Sequence, residues 1–309
     1  MKATILATLF LSAACWAQQP SAEPPAVRTP ADVSQEQSAS ITIQPVKVTQ
    51  SDIYCSGFIT NQPVPKTKFV AGGANTPDTA RFVEHDLIFL KGTDYKPGSL
   101  VSIIREWRNP DPTEAVEGYR KMMAEAGQPY SDVGYARVIE QRGDVAVARV
   151  EFNCEPTVPG DLVVPFMNRA KVSVRPQATV DRFPASVPSV TGRIIMARGG
   201  DQFISTGQKV FLSVGWEKGV HVGDYFLVTR GYNPKDMDIA SRISLDATIM
   251  DDTQKDPPRL QKDQLGELPR RVVGELVVLC ATPSSSTAMV TFMMEDIHPG
   301  DRVEAEPKQ

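Results

Sequence analysis

The residues able to do chemistry in this chain are three histidines, four cysteines, a run of three serines and an aspartate that occurs twice in one context. Hydrolysis needs a nucleophile with a base held beside it. No G-x-S-x-G elbow is present, and Ser284, Ser285 and Ser286 read as a hairpin loop between two strands. His85 precedes Asp86 at the start of an expected strand, while His221 and His298 adjoin the turns at Val222-Gly223 and Pro299-Gly300. A hydrolase would have to bring one of these histidines to an acid or hydroxyl in a pocket, and their places at strand ends and turns predict exposed side chains instead. The twice-occurring acid follows Pro-Gly both times, as Pro159-Gly160-Asp161 and Pro299-Gly300-Asp301. Proline fixes φ and glycine accepts positive φ in a type II turn, so these aspartates read as turn residues that begin a closing strand.

Metal and phosphate chemistry find no pattern to rest on. There is no C-x-x-C, no H-E-x-x-H and no calcium loop, and the aspartates at 236, 238, 246, 251, 252 and 256 lack the spacing and central glycine of one. Gly72-Gly73 and Gly199-Gly200 are isolated pairs with no helix behind them. The expectation is therefore no catalytic residue, no metal and no cofactor. A net charge of −4 without a basic block also speaks against a nucleic-acid partner.

Residues 1–17 have the make-up of a secretory signal: Lys2, an apolar core over 3–14, and small residues at Cys15 and Ala17. The alternative is a lipid-modified Cys15, because Ser12-Ala13-Ala14-Cys15 resembles a lipobox. Either way the expected location is outside the cytoplasm, periplasmic or extracellular, with no transmembrane span in the mature chain. Residues 18–40 are rich in Pro, Ala, Ser, Gln and Glu and read as a disordered tether. Cys55, Cys154 and Cys280 then remain, and an oxidising compartment allows one bridge. Cys55 and Cys154 fall in one module and could pair, or could be small buried residues; the state of Cys280 is open.

The elements that would carry these residues come from an internal duplication. Residues 134–163 lie without a gap over 274–303, matching at Gly134/Gly274, Val138/Val278, Ala148/Ala288, Val150/Val290, Phe152/Phe292, Glu155/Glu295 and the Pro-Gly-Asp turn, among others. Upstream, 98–105 (GSLVSIIR) lies over 223–230 (GDYFLVTR), and 88–90 over 210–212. Short β-branched runs separated by turn residues predict an all-β chain of two tandem small barrels. Expected strands are 53–59, 87–91, 100–106, 134–140, 145–152 and 162–165 in the first module, then 193–197, 209–214, 225–230, 272–280, 288–294 and 302–304 in the second. The matched Ala148, Val150 and Phe152 share one parity and should face inward.

Organisation follows as signal peptide 1–17, tether 18–40, module one 41–166, linker 167–189 and module two 190–305. Insertions separate the third and fourth strands of each module. The first has Asp111-Pro112 as a helix start, apolar residues at helical spacing to Ala126, and a stop at Gly127. The second, 231–271, is long and polar. In the linker, Val172 and Val174 could add an edge strand to either barrel. Trp107, Trp216 and Tyr225, near turns, are the candidate recognition surface.

In module two, Gly192-Arg193-Ile194, 210–215 (VFLSVG), 219–224 (GVHVGD), 226–230 (FLVTR), 274–278 (GELVV), 288–290 (AMV) and 297–303 (IHPGDRV) resemble the C-terminal domain of the flagellar assembly protein T. The module is also similar to the β-rich region of bacterial envelope proteins that carry LysM domains. The resemblance covers 191–303, and implies an exported bacterial protein with a non-enzymatic role in envelope assembly or wall association. This chain shows no LysM module and duplicates the barrel. The functional expectation is an envelope interaction or assembly module that binds a protein or cell-wall component. The alternatives are a peptidoglycan-binding protein and, behind it, an unrecognised hydrolase.

Overall fold

A computed structural model describes residues 40–75, 80–108, 119–175, 178–184, 188–233, 260–261 and 264–306. The expected signal, nearly all of the tether, and most of the polar second insertion lie outside these residues. In chain order the elements are β1 (Ser40–Ile43), α1 (Gln50–Tyr54), β2 (Phe58–Thr60), β3 (Phe69–Gly73), β4 (Leu87–Lys91), β5 (Leu100–Glu106), α2 (Tyr119–Ala126), β6 (Gln128–Arg142), β7 (Val145–Asn153), β8 (Leu162–Pro165) and β9 (Ala178–Asp181). Then come β10 (Thr191–Ala197), β11 (Lys209–Leu212), β12 (Tyr225–Arg230), β13 (Arg271–Ala281), β14 (Ser286–Met293) and β15 (Arg302–Ala305).

Two six-stranded antiparallel barrels close with one topology. The first runs β3-β4-β7-β6-β5-β8 and takes β2 as an extra strand on β6; the second runs β10-β11-β14-β13-β12-β15. Each interior is filled by its own apolar cluster, around Val70, Ile88, Ile103, Val138 and Val150 in barrel one and Ile194, Val210, Val228, Val278 and Val290 in barrel two. Both barrels belong to one compact unit. Among the described residues no helix is long and apolar enough to cross a membrane.

One expected strand is corrected. Residues 53–59 do not form the first strand of barrel one, because Thr49 caps α1 in a reciprocal capping box with Asp52 and draws Gln50–Tyr54 into a helix. The barrel instead begins at β3. The Thr-x-x-Asp spacing signals this locally, and the duplication signals it globally, since β3 is the counterpart of β10. The bridge between Cys55, just after α1, and Cys154, just after β7, is formed, with Cα atoms 5.5 Å apart. It ties the capping helix to the barrel across a sequence separation of 99.

A second correction concerns inward parity. Ala148 and Val150 are inside, as are Ala288 and Val290. Phe152 and Phe292 are outside, because Glu151 and Thr291 are unpaired bulge residues at which the register slips. Phe152 stacks on the outer face against Tyr135, ring centroids 5.4 Å apart. Phe292 packs outside barrel two with Val272 and Val180. Three more slips recur at matching positions: Ala71 and Ile195, Val133 and Val273, Ile139 and Leu279.

The matched glycines at the start of the repeat now have a cause. A Cβ on Gly134 would lie 2.0 Å from the Phe152 carbonyl oxygen, and one on Gly274 would lie 2.8 Å from that of Phe292. Neighbouring strands approach too closely at the bulge for any side chain. Gly134→Ala is therefore expected to lower unfolding free energy by about 2–4 kcal/mol in urea titration. Gly266→Ala, in open space, should change it by less than about 0.5 kcal/mol. Equal effects of the two would contradict the close-approach explanation.

Candidate functional site

A cavity of about 760 Å³ forms a cleft where the two barrels meet. Barrel one contributes Phe58 of β2, the following Pro63 and Pro65, and Val164 and Pro165 of β8; barrel two contributes Trp216 and the end of β13. The chain can build this wall because β2 ends at Thr60 and two prolines then withhold backbone donors, leaving side chains rather than an open strand edge. Trp216 begins a 3₁₀ turn, Trp216–Lys218, closed by Gly219 at φ 83°. Its N–H donates to the Thr282 carbonyl at 3.0 Å while the residue stays 53% exposed at the cleft.

At the base of the cleft lies a buried ion pair. Arg169 of the linker donates through Nη2 to both Asp132 oxygens, at 2.9 and 3.1 Å, and through Nη1 to the Cys280 sulfur. The two charged side chains are 8% and 6% exposed. Asp132 also accepts from the Gly57 N–H at 2.9 Å. Burial pushes the Asp132 carboxyl upward from its ordinary value, against the pull of Arg169. Burial likewise pushes the Cys280 thiol up, so Cys280, which forms no disulfide, is a packed thiol rather than a thiolate nucleophile.

The serine run supplies the junction. Ser285 Oγ and Thr282 Oγ1 donate to the Ile59 carbonyl at 2.7 and 2.8 Å, Thr287 Oγ1 to that of Gly57 at 2.9 Å, and Ser284 Oγ to that of Ala126 at 3.2 Å. Hydroxyls of barrel two thus satisfy the outer edge of β2 and the end of α2. Lys209 pairs with Asp52 at 2.5 Å and Arg198 with Glu155 at 2.9 Å across the same boundary.

The three candidate aromatics take separate roles. Trp107 packs with α2 against Ile195, Met196 and Phe211 of barrel two. Tyr225 lies under the linker, its hydroxyl accepting from the Arg175 N–H at 2.9 Å and its ring 4.2 Å from the Arg175 guanidinium. Trp216 alone of the three lines the cleft. Phe58, Phe166 and Arg169 also line it, and no sequence signal picks them out; they sit in the β2 region, just after β8 and in the linker, where no repeat marks them.

His85 and His221 are exposed, and His221 Nδ1 stands 3.7 Å from Asp224. His298 is half-buried, edge-on to Phe203, and its N–H donates to Asp301 at 2.8 Å. No cluster of three His, Cys, Asp or Glu side chains able to hold a metal occurs among the described residues.

The repeated acids form a clamp that occurs in both barrels. Arg105 at the end of β5 grips Asp161 through two bonds, 2.7 and 2.8 Å, and Arg230 at the end of β12 grips Asp301 at 3.0 and 2.6 Å. Each aspartate also accepts a turn N–H at 2.8 Å. Gly160 and Gly300 hold φ of 95° and 93° in these turns. A carboxylate oriented on both oxygens by a guanidinium is occupied structurally. Glu155 and Glu295 extend the two clamps.

Arg271 holds the Glu295 carboxyl below its ordinary value of 4.5, against the effect of burial, with Arg230 and Arg182 adding to the pull. A depressed carboxyl contributes stability that is complete above the ordinary value and is lost as pH falls through the lower folded one. Glu295→Gln should cost about 1 kcal/mol at neutral pH, and the gap from the parent should narrow as pH falls below 4.5. Chemical denaturation from pH 3 to 7 reads this directly, and a gap undiminished at the acidic end would contradict it.

No protein-family model and no curated protein matches this chain.

Proposed function

We propose that this chain is an exported, non-enzymatic protein of the bacterial cell envelope whose inter-barrel cleft receives an apolar side-chain segment of a protein partner. The observation that carries the reading is Trp216, a large exposed aromatic at the mouth of a cleft whose wall is otherwise mostly aliphatic, aromatic and proline side chains. Buried aromatic anchors supply much of the energy of protein interfaces. Among the described residues the single charge in the wall, Arg169, is already neutralised by Asp132, so a neutral occupant suits it. The prolines deprive the wall of free N–H groups, which favours insertion of side chains over strand addition. The Cys55–Cys154 bridge supports an oxidising location and so an exported chain.

Placing a photo-crosslinking amino acid at Trp216, and at Phe203 as a still more exposed control, tests this in living cells. One discrete adduct from position 216, absent from position 203, is expected. Trp216→Ala should then weaken the purified pair about tenfold or more. Adducts from both positions alike, or none, would sink the reading.

The alternative is peptidoglycan binding. Its support is the same exposed indole together with the amides of Gln62 and Asn168 in the wall, a combination suited to a sugar face. Co-sedimentation with purified peptidoglycan, abolished by Trp216→Ala, would select it over a protein partner.

A further inference from the structure

The duplication provides an internal control on what a closed barrel of this kind needs. In barrel two, Arg193 of β10 pairs with Arg302 of β15; at the same register in barrel one, Phe69 of β3 pairs with Leu162 of β8. Thr229 opposite Arg302 corresponds to Ile104 opposite Leu162. Arg270, just before β13, corresponds to Tyr130. On barrel one this face is an apolar cluster of Ile104, Tyr130, Leu162 and Phe69, part of which continues into the cleft. On barrel two it is a cavity of about 210 Å³ lined by Arg193, Arg230, Arg270 and Arg302 with Asp301 and Tyr232.

Of the four arginines, the clamp requires only Arg230, whose counterpart Arg105 is retained. The other three stand where barrel one closes with Phe, Tyr and Leu, so closure alone does not demand them; barrel two pairs Arg270 and Arg302 with Glu304, which stands where barrel one has Val164. Asp301 is held by Arg230, and Glu304, 3% exposed, is shared by Arg270 at 2.8 Å and Arg302 at 3.2 Å. Arg193 donates to the Gly300 carbonyl at 2.9 Å. Among the described residues, four guanidiniums therefore line a cavity in which Asp301 is the one carboxylate of the wall, with Glu304 beside it. The cavity is smaller than the ~300–1,000 Å³ of sites for drug-sized ligands. Guanidinium forks match oxyanions bidentately.

We propose that this cavity binds a phosphate-sized oxyanion. The site is separate from the inter-barrel cleft and does not depend on the reading of that cleft. Free phosphate and a phosphate on a lipid headgroup present the same oxygens, so both are tested on the full mature chain. Calorimetric titration with inorganic phosphate at low ionic strength should give saturable binding at one site. Arg193→Phe with Arg302→Leu, which installs the residues barrel one uses, should weaken it about tenfold or more. Arg302→Leu alone, at a side chain 47% exposed and with Arg270 still pairing Glu304, should weaken it about threefold, and keeps the test intact if the pair fails to fold. Trp216→Ala should leave phosphate binding unchanged. Vesicles containing phosphatidic acid should compete with inorganic phosphate if the headgroup is the source, and should not if the free ion is; either supports the site. Absence of phosphate binding, binding indifferent to both arginine variants, or binding to vesicles alone would overturn it.

Discussion

Closing six short strands into a barrel forces the backbone to slip, and the positions of those slips govern most other features of this protein. Each barrel has four bulges, and all four fall at matching residues of the two copies. A bulge adds a residue to one strand, bends it and interrupts the alternation of faces. That is why Phe152 and Phe292 leave the core, why Gly134 and Gly274 tolerate no side chain, and why an outward residue appears at Ile139 and Leu279. The Arg-Asp clamp then holds the last turn against the third strand, so the closing strand arrives in register in both copies.

With interior and closure held in common, the copies diverge on their outsides. The outward bulge residue Ile139 is 43% exposed in barrel one, whereas Leu279 is fully buried beneath Val172 and Val174 of the linker and Val48. Ala71 is exposed, but its counterpart Ile195 packs beneath α2. Barrel two therefore gained an apolar coat where barrel one and the linker lie on it, and the junction hydroxyls finish the hydrogen bonding. Polar groups buried at such a boundary must be partnered, and Gly57 and Ile59 are, by Thr287 and by Thr282 with Ser285. The hydrogen-bonded seam that results sets the two walls of the cleft against each other.

Duplication also yields two surfaces that a single barrel could not offer. Equivalent faces became an apolar wall on barrel one and an arginine cavity on barrel two. Neither composition is imposed by barrel closure, because each copy manages without the other's residues. Divergence between duplicated modules is thus a sharper guide to recognition here than the residues they share.

The sequence specified the class of fold, the duplication, eleven of the strands and the Cys55–Cys154 pairing as one of two open readings, because period-two patterns, turn residues and a fixed offset are local signals. Thr49 and Asp52 carry the signal for the helix that replaces the expected strand at 53–59, and the offset to β10 carries the one for β3. Alternation places Phe152 inward only while strand pairing stays in register, and a bulge is settled by the partner strand. The cleft, the Asp132–Arg169 pair and the arginine cavity join residues up to 225, 37 and 109 positions apart in the chain. No local pattern encodes such meetings; they arise when two closed barrels press particular outer faces together and leave others open.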